Sequence, residues 1–271
     1  MNAIGYFQSA RGLFICVTGA IFWTISAASA QELSEQLELI TDRPDQTESS
    51  AIVPRGYFQI ETGVTYSDEG SESRSLEYPG TLLRIGLSQR VELRLGIQGF
   101  ISEFEGNNTT GFGDSDIGTK IYLMEESGWR PEMALLASLS VPTGKDGFSS
   151  ERMDPSFRFA FSHTLNDRVS LGYNLGAAWE TEPTSSGRST LSWLQYTVTA
   201  GFGLSERFGA FVELFGDTPL SADGDTELSF DGGLTFLLRP NVQLDAALGF
   251  GLTDDAPDWF LTTGVSVRFP R

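Results

Sequence analysis

The sequence contains very little cysteine and histidine, the residues that carry thiol and imidazole chemistry. Its 271 residues contain one cysteine, Cys16, and one histidine, His163. Cys16 lies in an apolar N-terminal run, and removal of that run would leave a mature chain without a thiol. Such a chain has no disulfide framework, no cysteine-ligated metal and no cysteine nucleophile.

Long apolar runs are also absent after residue 30. Residues 13–25 read LFICVTGAIFWTI, follow Arg11 and lead into Ala28-Ser29-Ala30. This order is typical of a secretory signal peptide cleaved after Ala30. An uncleaved membrane anchor needs about 20 apolar residues, and this run is shorter. The mature chain is therefore expected to be either an exported soluble β-protein or a membrane protein that crosses the bilayer as strands.

Basic residues are scarce. The chain has 18 Lys and Arg against 36 Asp and Glu, which gives a net charge of −18. Binding to nucleic acid is excluded because phosphates require a basic surface. The acidic loops, such as the one with Asp223, Asp225 and Glu227, lack the spacing of a calcium-binding loop. We therefore predict neither a metal site nor any other cofactor.

Apolar residues alternate with polar residues or glycine in many segments, among them 91–98, 169–176, 242–251 and 261–269. A period of two places the two sets on opposite faces of a strand. The segments are about 9 to 12 residues long, as a tilted membrane strand requires, whereas strands of soluble proteins usually have about 5 or 6. The pattern favours a membrane barrel over a soluble sandwich.

Short and long connections alternate along the chain. Tight turns are predicted at 87–91, 165–169, 204–208 and 238–242, with a looser one at 125–132. Longer polar loops lie between them and centre on 67–75, 105–114, 143–154, 181–189, 217–225 and 253–258. Outer-membrane barrels have short periplasmic turns and long external loops. We predict an all-β, transmembrane, antiparallel up-and-down β-barrel of about 12 strands with both termini periplasmic. The predicted strands are 56–67, 79–88, 90–103, 114–125, 131–141, 155–164, 168–180, 190–203, 207–216, 227–238, 241–252 and 258–269.

The predicted domains are a signal peptide at 1–30, a short periplasmic N-terminal segment at 31–54 and a barrel at 55–271. Pro54 marks the last boundary because proline cannot donate to a strand ladder. Two interpretations of the segment stay open. Either it is a plug or gate that places charged side chains in the lumen, or it is a rim anchor packed for folding. The gate candidates are Asp42, Arg43, Asp45 and Glu48.

The polar face of each predicted strand supplies the candidates for lining the lumen. They carry both signs of charge, so the interior either lines a narrow pore or is filled by paired charges. These residues are Gln59, Glu61, Arg84, Glu92, Arg94, Gln98, Lys120, Arg158, Asn174, Gln195, Glu213, Asp231, Gln243, Asp245 and Arg268.

Several short motifs resemble one family of bacterial proteins. They are TDRPDQTES at 41–49, VPRGYFQIETG at 53–63, GFGD at 111–114 leading to Lys120, and VPTG at 141–144. Together they resemble the family of outer-membrane proteins named for a MetA pathway of phenol degradation. The resemblance implies a transporter-like barrel and a link to hydrocarbon or aromatic metabolism.

The predicted function is an outer-membrane channel or transporter for small, hydrophobic or aromatic solutes. The alternatives are a structural or adhesive barrel with acidic loops and, as a third class, a surface-facing barrel enzyme. His163 lies just before a predicted periplasmic turn, away from the outer leaflet where such an enzyme works, so we predict no catalytic residue. The expected location is the outer membrane of a Gram-negative bacterium. The expected partners are outer-membrane lipid and lipopolysaccharide, a small-molecule solute and the barrel insertion machinery.

Overall fold

The alternating segments of the sequence form antiparallel strands in a computed structural model, which describes residues 38–70, 73–105, 107–184, 187–220 and 224–270. The predicted signal peptide at 1–30 lies outside the described residues, as do residues 31–37. The strands are β1 (Tyr57–Gly70), β2 (Ser73–Gly86), β3 (Val91–Ile97), β4 (Phe100–Glu105), β5 (Asn107–Phe112), β6 (Ser115–Met124), β7 (Glu132–Val141), β8 (Asp154–Asn166), β9 (Val169–Thr184), β10 (Gly187–Gly203), β11 (Phe208–Pro219), β12 (Glu227–Arg239), β13 (Val242–Gly251) and β14 (Trp259–Pro270).

The sheet closes on itself because β1 pairs with both β14 and β2. Gln59, for example, lies opposite Arg268 on one side and opposite Arg84 on the other. β3 and β4 form one barrel strand with a break at residues 98–99, since both pair with β2. β5 and β6 likewise continue one another across residues 113–114. The fold is therefore a closed antiparallel barrel of twelve strands, which confirms the predicted class and strand number.

Burial alternates along the strands in the sense expected for a membrane barrel. On β13, Gln243 and Asp245 are buried, whereas Leu244 and Leu248 are 41% and 44% exposed. A soluble sandwich would bury the apolar residues instead. Polar residues inside and apolar residues outside are the arrangement of a barrel whose outer face contacts lipid. The described part of the chain contains no helix that is long and apolar enough to span a membrane.

The two ends of the barrel differ in their connections. At the turn end, short turns such as 87–90 and 204–207 join the strands, as predicted. At the other end, here called the loop end, the prediction of long loops at 67–75, 105–114 and 181–189 was wrong. Most of the described residues in these ranges extend the strands into hairpins, because cross-strand pairs of polar residues such as Ser67 with Ser75 and Thr181 with Thr190 also stabilise a ladder.

Candidate functional site

Residues 39–53, here called the inner segment, lie inside the barrel at its turn end. Their polar groups bond to strands on all sides, and a segment that does so in a closed barrel lies in its interior. Representative bonds run from the N–H of Asp42 to Glu61 on β1 (2.9 Å), from Arg43 to Asp245 on β13 (3.1 Å), from the N–H of Gln46 to Glu213 on β11 (2.7 Å), from the N–H of Glu48 to Asn174 on β9 (2.7 Å) and from Ser50 to Glu132 on β7 (2.5 Å).

Asp42 is the centre of the contacts that hold the inner segment. Its buried carboxylate lies 3.0 Å from Arg84, 2.6 Å from Arg94 and 2.8 Å from Lys120. It also accepts bonds from the N–H and the hydroxyl of Ser49, at 3.0 and 2.8 Å, which close residues 42–49 into a loop. Burial alone would raise the pKa of Asp42, but the three cations hold it well below its usual range. Asp42 is therefore charged at neutral pH.

The three cations have further carboxylate partners on the barrel wall and on the inner segment. Arg84 lies 2.8 Å from both Glu61 and Glu92, and Arg94 lies 2.9 Å from Glu48. In a buried network of this kind, loss of one partner leaves an uncompensated charge and costs about 3–5 kcal/mol. The inner segment and the wall thus neutralise each other.

Arg43 enters a notch in the wall made by two glycines. Gly63 on β1 and Gly264 on β14 are opposite each other in the ladder, and a Cβ atom at either position would overlap the Arg43 guanidinium. The guanidinium donates to Asp245 at 3.1 Å and to Thr262 at 2.9 Å. A side chain larger than hydrogen at either glycine would displace Arg43.

The side of the interior formed by β11 and β12 is acidic. Glu213 accepts bonds from the N–H of Gln46 and the hydroxyl of Thr47. Asp231, opposite Glu213 in the ladder, is fully buried, and neither of its carboxylate oxygens has a hydrogen-bond partner among the described residues. Burial and, next, the charge of Glu213 raise the pKa of Asp45 well above its usual value. Docking of the inner segment therefore favours protonated Asp45.

The predicted lumen residues fall into two groups. Eleven of the fifteen bond to the inner segment, namely Gln59, Glu61, Arg84, Glu92, Arg94, Lys120, Asn174, Glu213, Gln243, Asp245 and Arg268. The other four are Gln98, Arg158, Gln195 and Asp231. Gln98 lies in the break between β3 and β4, where it is exposed and lines the large cavity of the interior. The prediction that 90–103 is one uninterrupted strand was wrong at this point.

A cavity of about 870 Å³ lies between the inner segment and the loop end. The inner segment contributes Arg43 and Glu48 to its lining. The wall contributes Arg158 and Gln195 together with carboxylates that were not among the predicted residues, including Glu77, Asp116 and Glu180. Asp116 and Glu180 continue the alternation of Lys120 and Asn174 and were predictable from it. Glu77 was not, because a register shift near Gly80 changes the face on which it lies.

The loop of residues 142–153 is fastened to the wall beside this cavity. Asp114, in the break between β5 and β6, accepts the N–H of Gly144 at 2.8 Å and that of Ser150 at 2.9 Å. The N–H of Ser115 donates to the Thr143 hydroxyl at 2.9 Å. The GFGD and VPTG motifs therefore meet in space and anchor one loop.

His163 lies near the turn end, as its position in the sequence predicts. Its ring is 3.6 Å from the carboxylate of Glu126 and 3.4 Å from the Tyr173 hydroxyl. No group of three or more His, Cys, Asp or Glu side chains in the described ranges has an arrangement that could hold a metal ion.

The model of one protein family matches residues 41–269, from the start of the TDRPDQTES motif to the end of β14. Its description is "Putative MetA-pathway of phenol degradation". The chain belongs to this family. The match confirms the resemblance seen in the motifs, and it includes both the inner segment and the barrel. No curated protein sequence matches the chain.

Solved structures of outer-membrane barrels resemble the fold. The COG4313 outer membrane channel from Pseudomonas putida F1 has 16% identity and a TM-score of 0.64, over 84% of this chain and all of that one. The translocator domain of the autotransporter NalP from Neisseria meningitidis has 11% identity and a TM-score of 0.55, over 92% and 99%. The NanC porin has 10% identity and a TM-score of 0.53, over 78% and 98%. At these identities the likeness concerns the fold alone, which serves several functions.

Proposed function

We propose that this member of the family is a channel for small solutes in the outer membrane of a Gram-negative bacterium, closed on its periplasmic side by the inner segment. The observation that carries the proposal is the contact of residues 39–53 with strands around the whole interior at the turn end. A barrel with a cavity on the loop side of the inner segment and an obstructed turn end has the layout of a closed channel. Passage then requires the inner segment to move.

The nature of the contacts supports movement. The inner segment is held mainly by ion pairs and hydrogen bonds to polar side chains, and water can replace such partners when the segment leaves. An apolar plug would resist release more strongly, because its surface gains nothing from hydration. The role proposed for Asp42, Arg43, Asp45 and Glu48 is therefore that of a gate, in preference to a rim anchor.

The proposed solutes are small and include aromatic ones. A cavity of about 870 Å³ is large enough for a compact organic molecule, and the family description refers to phenol degradation. The apolar outer face fits outer-membrane lipid and lipopolysaccharide, and the closing strand β14, with Phe269 near its end, suits recognition by the barrel insertion machinery. We propose no catalytic residue.

Liposome swelling tests this function. Proteoliposomes with the purified chain are mixed with neutral solutes of increasing size, from a pentose to a trisaccharide, and compared with protein-free liposomes. We expect slow swelling with the pentose, faster swelling when Asp42 is replaced by Asn, and none with the trisaccharide. Absence of swelling with both proteins, although both are folded, would exclude a channel.

A further inference from the structure

Arg158 differs from the other cations of the barrel interior. Arg43, Arg84, Arg94 and Lys120 each lie within ion-pair distance of a carboxylate, and Arg268 bonds to Gln59. Arg158 has no ion pair in the part of the chain that the structure describes. Its Nε donates to the side-chain oxygen of Gln195 at 3.0 Å, and its two terminal nitrogens have no hydrogen-bond partner there. Arg158 lines the large cavity and also a smaller space beside residues 44–46 of the inner segment.

The wall around Arg158 leaves room for a ligand. The neighbouring interior positions on the two adjacent strands carry small residues. Gly176 on β9 lies opposite Arg158, and Ser138 on β7 and Ala178 on β9 lie opposite Ser156, two residues before Arg158. A Cβ atom at Gly176 would lie 2.7 Å from Cγ of Arg158, so the glycine lets the arginine stem lie along the wall towards Gln195. Leu136, opposite Arg158 on β7, adds an apolar surface.

Gln195 fixes the direction of the guanidinium. It occupies Nε and leaves the edge with the two terminal nitrogens free. That edge presents two parallel N–H groups, which match the two oxygens of a planar carboxylate. The nearby carboxylate of Asp217, opposite Gln195 on β11, interacts with Arg158 through space but lies beyond ion-pair distance. The guanidinium edge is thus half of a bidentate pair that has no direct partner among the described residues.

The charges elsewhere in the cavity limit what can bind. Glu77, Asp116 and Glu180 also line it, and none of the three has an ion pair among the described residues. The other two cations of the lining, Arg43 and Arg94, are already paired with Asp245 and Glu48. A second negative charge on the ligand would face these carboxylates and be repelled. We propose that Arg158 and Gln195 form a binding site for the carboxylate of a small organic monocarboxylate. The site deepens the proposed channel function, on which it rests, by naming a class of solute.

Binding of benzoate to the full mature chain in detergent tests the site, measured by calorimetry at neutral pH and low salt. Benzamide has the same shape without the charge, and terephthalate carries a second carboxylate. We expect benzoate to bind and both analogues to bind about tenfold more weakly or less, as loss of a charged hydrogen-bonded pair predicts. Equal binding of benzamide would overturn the proposal.

Variants separate the site from non-specific attraction. Arg158→Gln should weaken benzoate binding about tenfold or more, and Arg158→Lys, which keeps the charge but loses the paired N–H groups, should be intermediate. The matched control is Arg168→Gln in the exposed turn between β8 and β9, which should bind benzoate like the unchanged protein. Unchanged binding by a folded Arg158→Gln protein would refute the site.

Solute permeation distinguishes failure of the site from failure of the channel. If the unchanged protein passes pentoses but Arg158→Gln does not alter benzoate binding, only the carboxylate site is wrong. If benzoate binding depends on Arg158 but no solute passes even when the inner segment is removed, the channel function is wrong and the site belongs to a receptor.

Discussion

At the scale of single residues, the interior is organised by charge. Asp42 brings a carboxylate within 3.0 Å of three cations on β2, β3 and β6, and the bonds from Ser49 hold it in the geometry that reaches them. This position requires a carboxylate because the three cations are themselves buried and need charged partners. Their neutralisation depends partly on a residue that belongs to no strand.

Replacement of Asp42 by Asn keeps the shape and removes the charge. Docking of the inner segment should weaken by about 3–5 kcal/mol, the usual cost of breaking a buried ion pair on one side. The measurement is single-channel conductance in planar bilayers, where the variant should be open for a larger fraction of time. Asp167→Asn, in an exposed turn, serves as the control and should behave like the unchanged protein. A variant that stays closed as long as the control would contradict the role of Asp42.

The raised pKa of Asp45 predicts that docking of the inner segment depends on pH. Burial and then Glu213 raise its pKa in the docked segment, with smaller contributions from Asp42 and Asp231, and burial also raises that of Glu48. A carboxyl with a raised pKa favours docking below its ordinary pKa of about 3.9, and this contribution is lost as pH rises through the docked value.

Channel opening should therefore increase from mildly acidic to neutral pH. Asp42 has a lowered pKa, so its contribution to docking is lost only on strong acidification. Asp45→Asn should flatten this rise of open probability with pH, because an amide is neutral throughout. Open probability recorded across this range decides the matter, and an unchanged slope in Asp45→Asn would contradict the assignment.

At the scale of elements, the inner segment and the strands have separable roles. No strand pairs with residues 39–53, so the barrel ladder is complete without them. Deletion of residues 31–50 should leave a folded barrel and remove the partners Asp42 and Glu48 from the cations of the wall. The shortened protein should conduct more than the intact one in bilayer recordings. Normal folding with unchanged conductance would leave the segment as a rim anchor only.

The two faces of a strand should respond differently to the same substitution. Leu244 on β13 is 41% exposed on the outer face, and its neighbour Gln243 is buried in the interior. Arg at position 244 should cost about 2–4 kcal/mol if that site lies near the bilayer midplane. Gln243→Arg should cost less, because Asp245 on the same interior face has a carboxylate oxygen without a hydrogen-bond partner among the described residues and can pair with the new cation. The free energy of unfolding in lipid vesicles checks this, and equal costs on both faces would argue against a lipid-facing outer surface.

The sequence alone predicts much of this element structure. Period-two alternation finds the twelve barrel strands and most interior residues, because a barrel strand has only two faces. It fails where the period breaks, as at Glu77, since a register shift exchanges the faces. Partners such as Asp42 and Lys120 are 78 residues apart, and no local pattern predicts a contact over that separation.

At the scale of the whole molecule, the barrel combines a filled half and an open half. In the filled half, buried ion pairs join the inner segment to the wall, whereas the cavity of the other half is lined by Glu77, Asp116 and Glu180 together with Arg158. This division fits a channel in which one end controls passage and the other receives the solute. The family motifs follow the division, since TDRPDQTES lies in the filled half and GFGD and VPTG fasten a loop at the open one.

The central claim is that movement of the inner segment opens the channel, and a reversible crosslink tests it most directly. The hydroxyls of Thr47 and Thr197 are 2.7 Å apart, and Cys16, the native cysteine, lies in the predicted signal peptide. A protein with Thr47→Cys and Thr197→Cys should form a disulfide that ties the segment to β10. We expect conductance to be lowest when this protein is oxidised and to rise on reduction, whereas Thr47→Cys alone should not respond. Equal conductance of the crosslinked and the reduced protein would contradict the account.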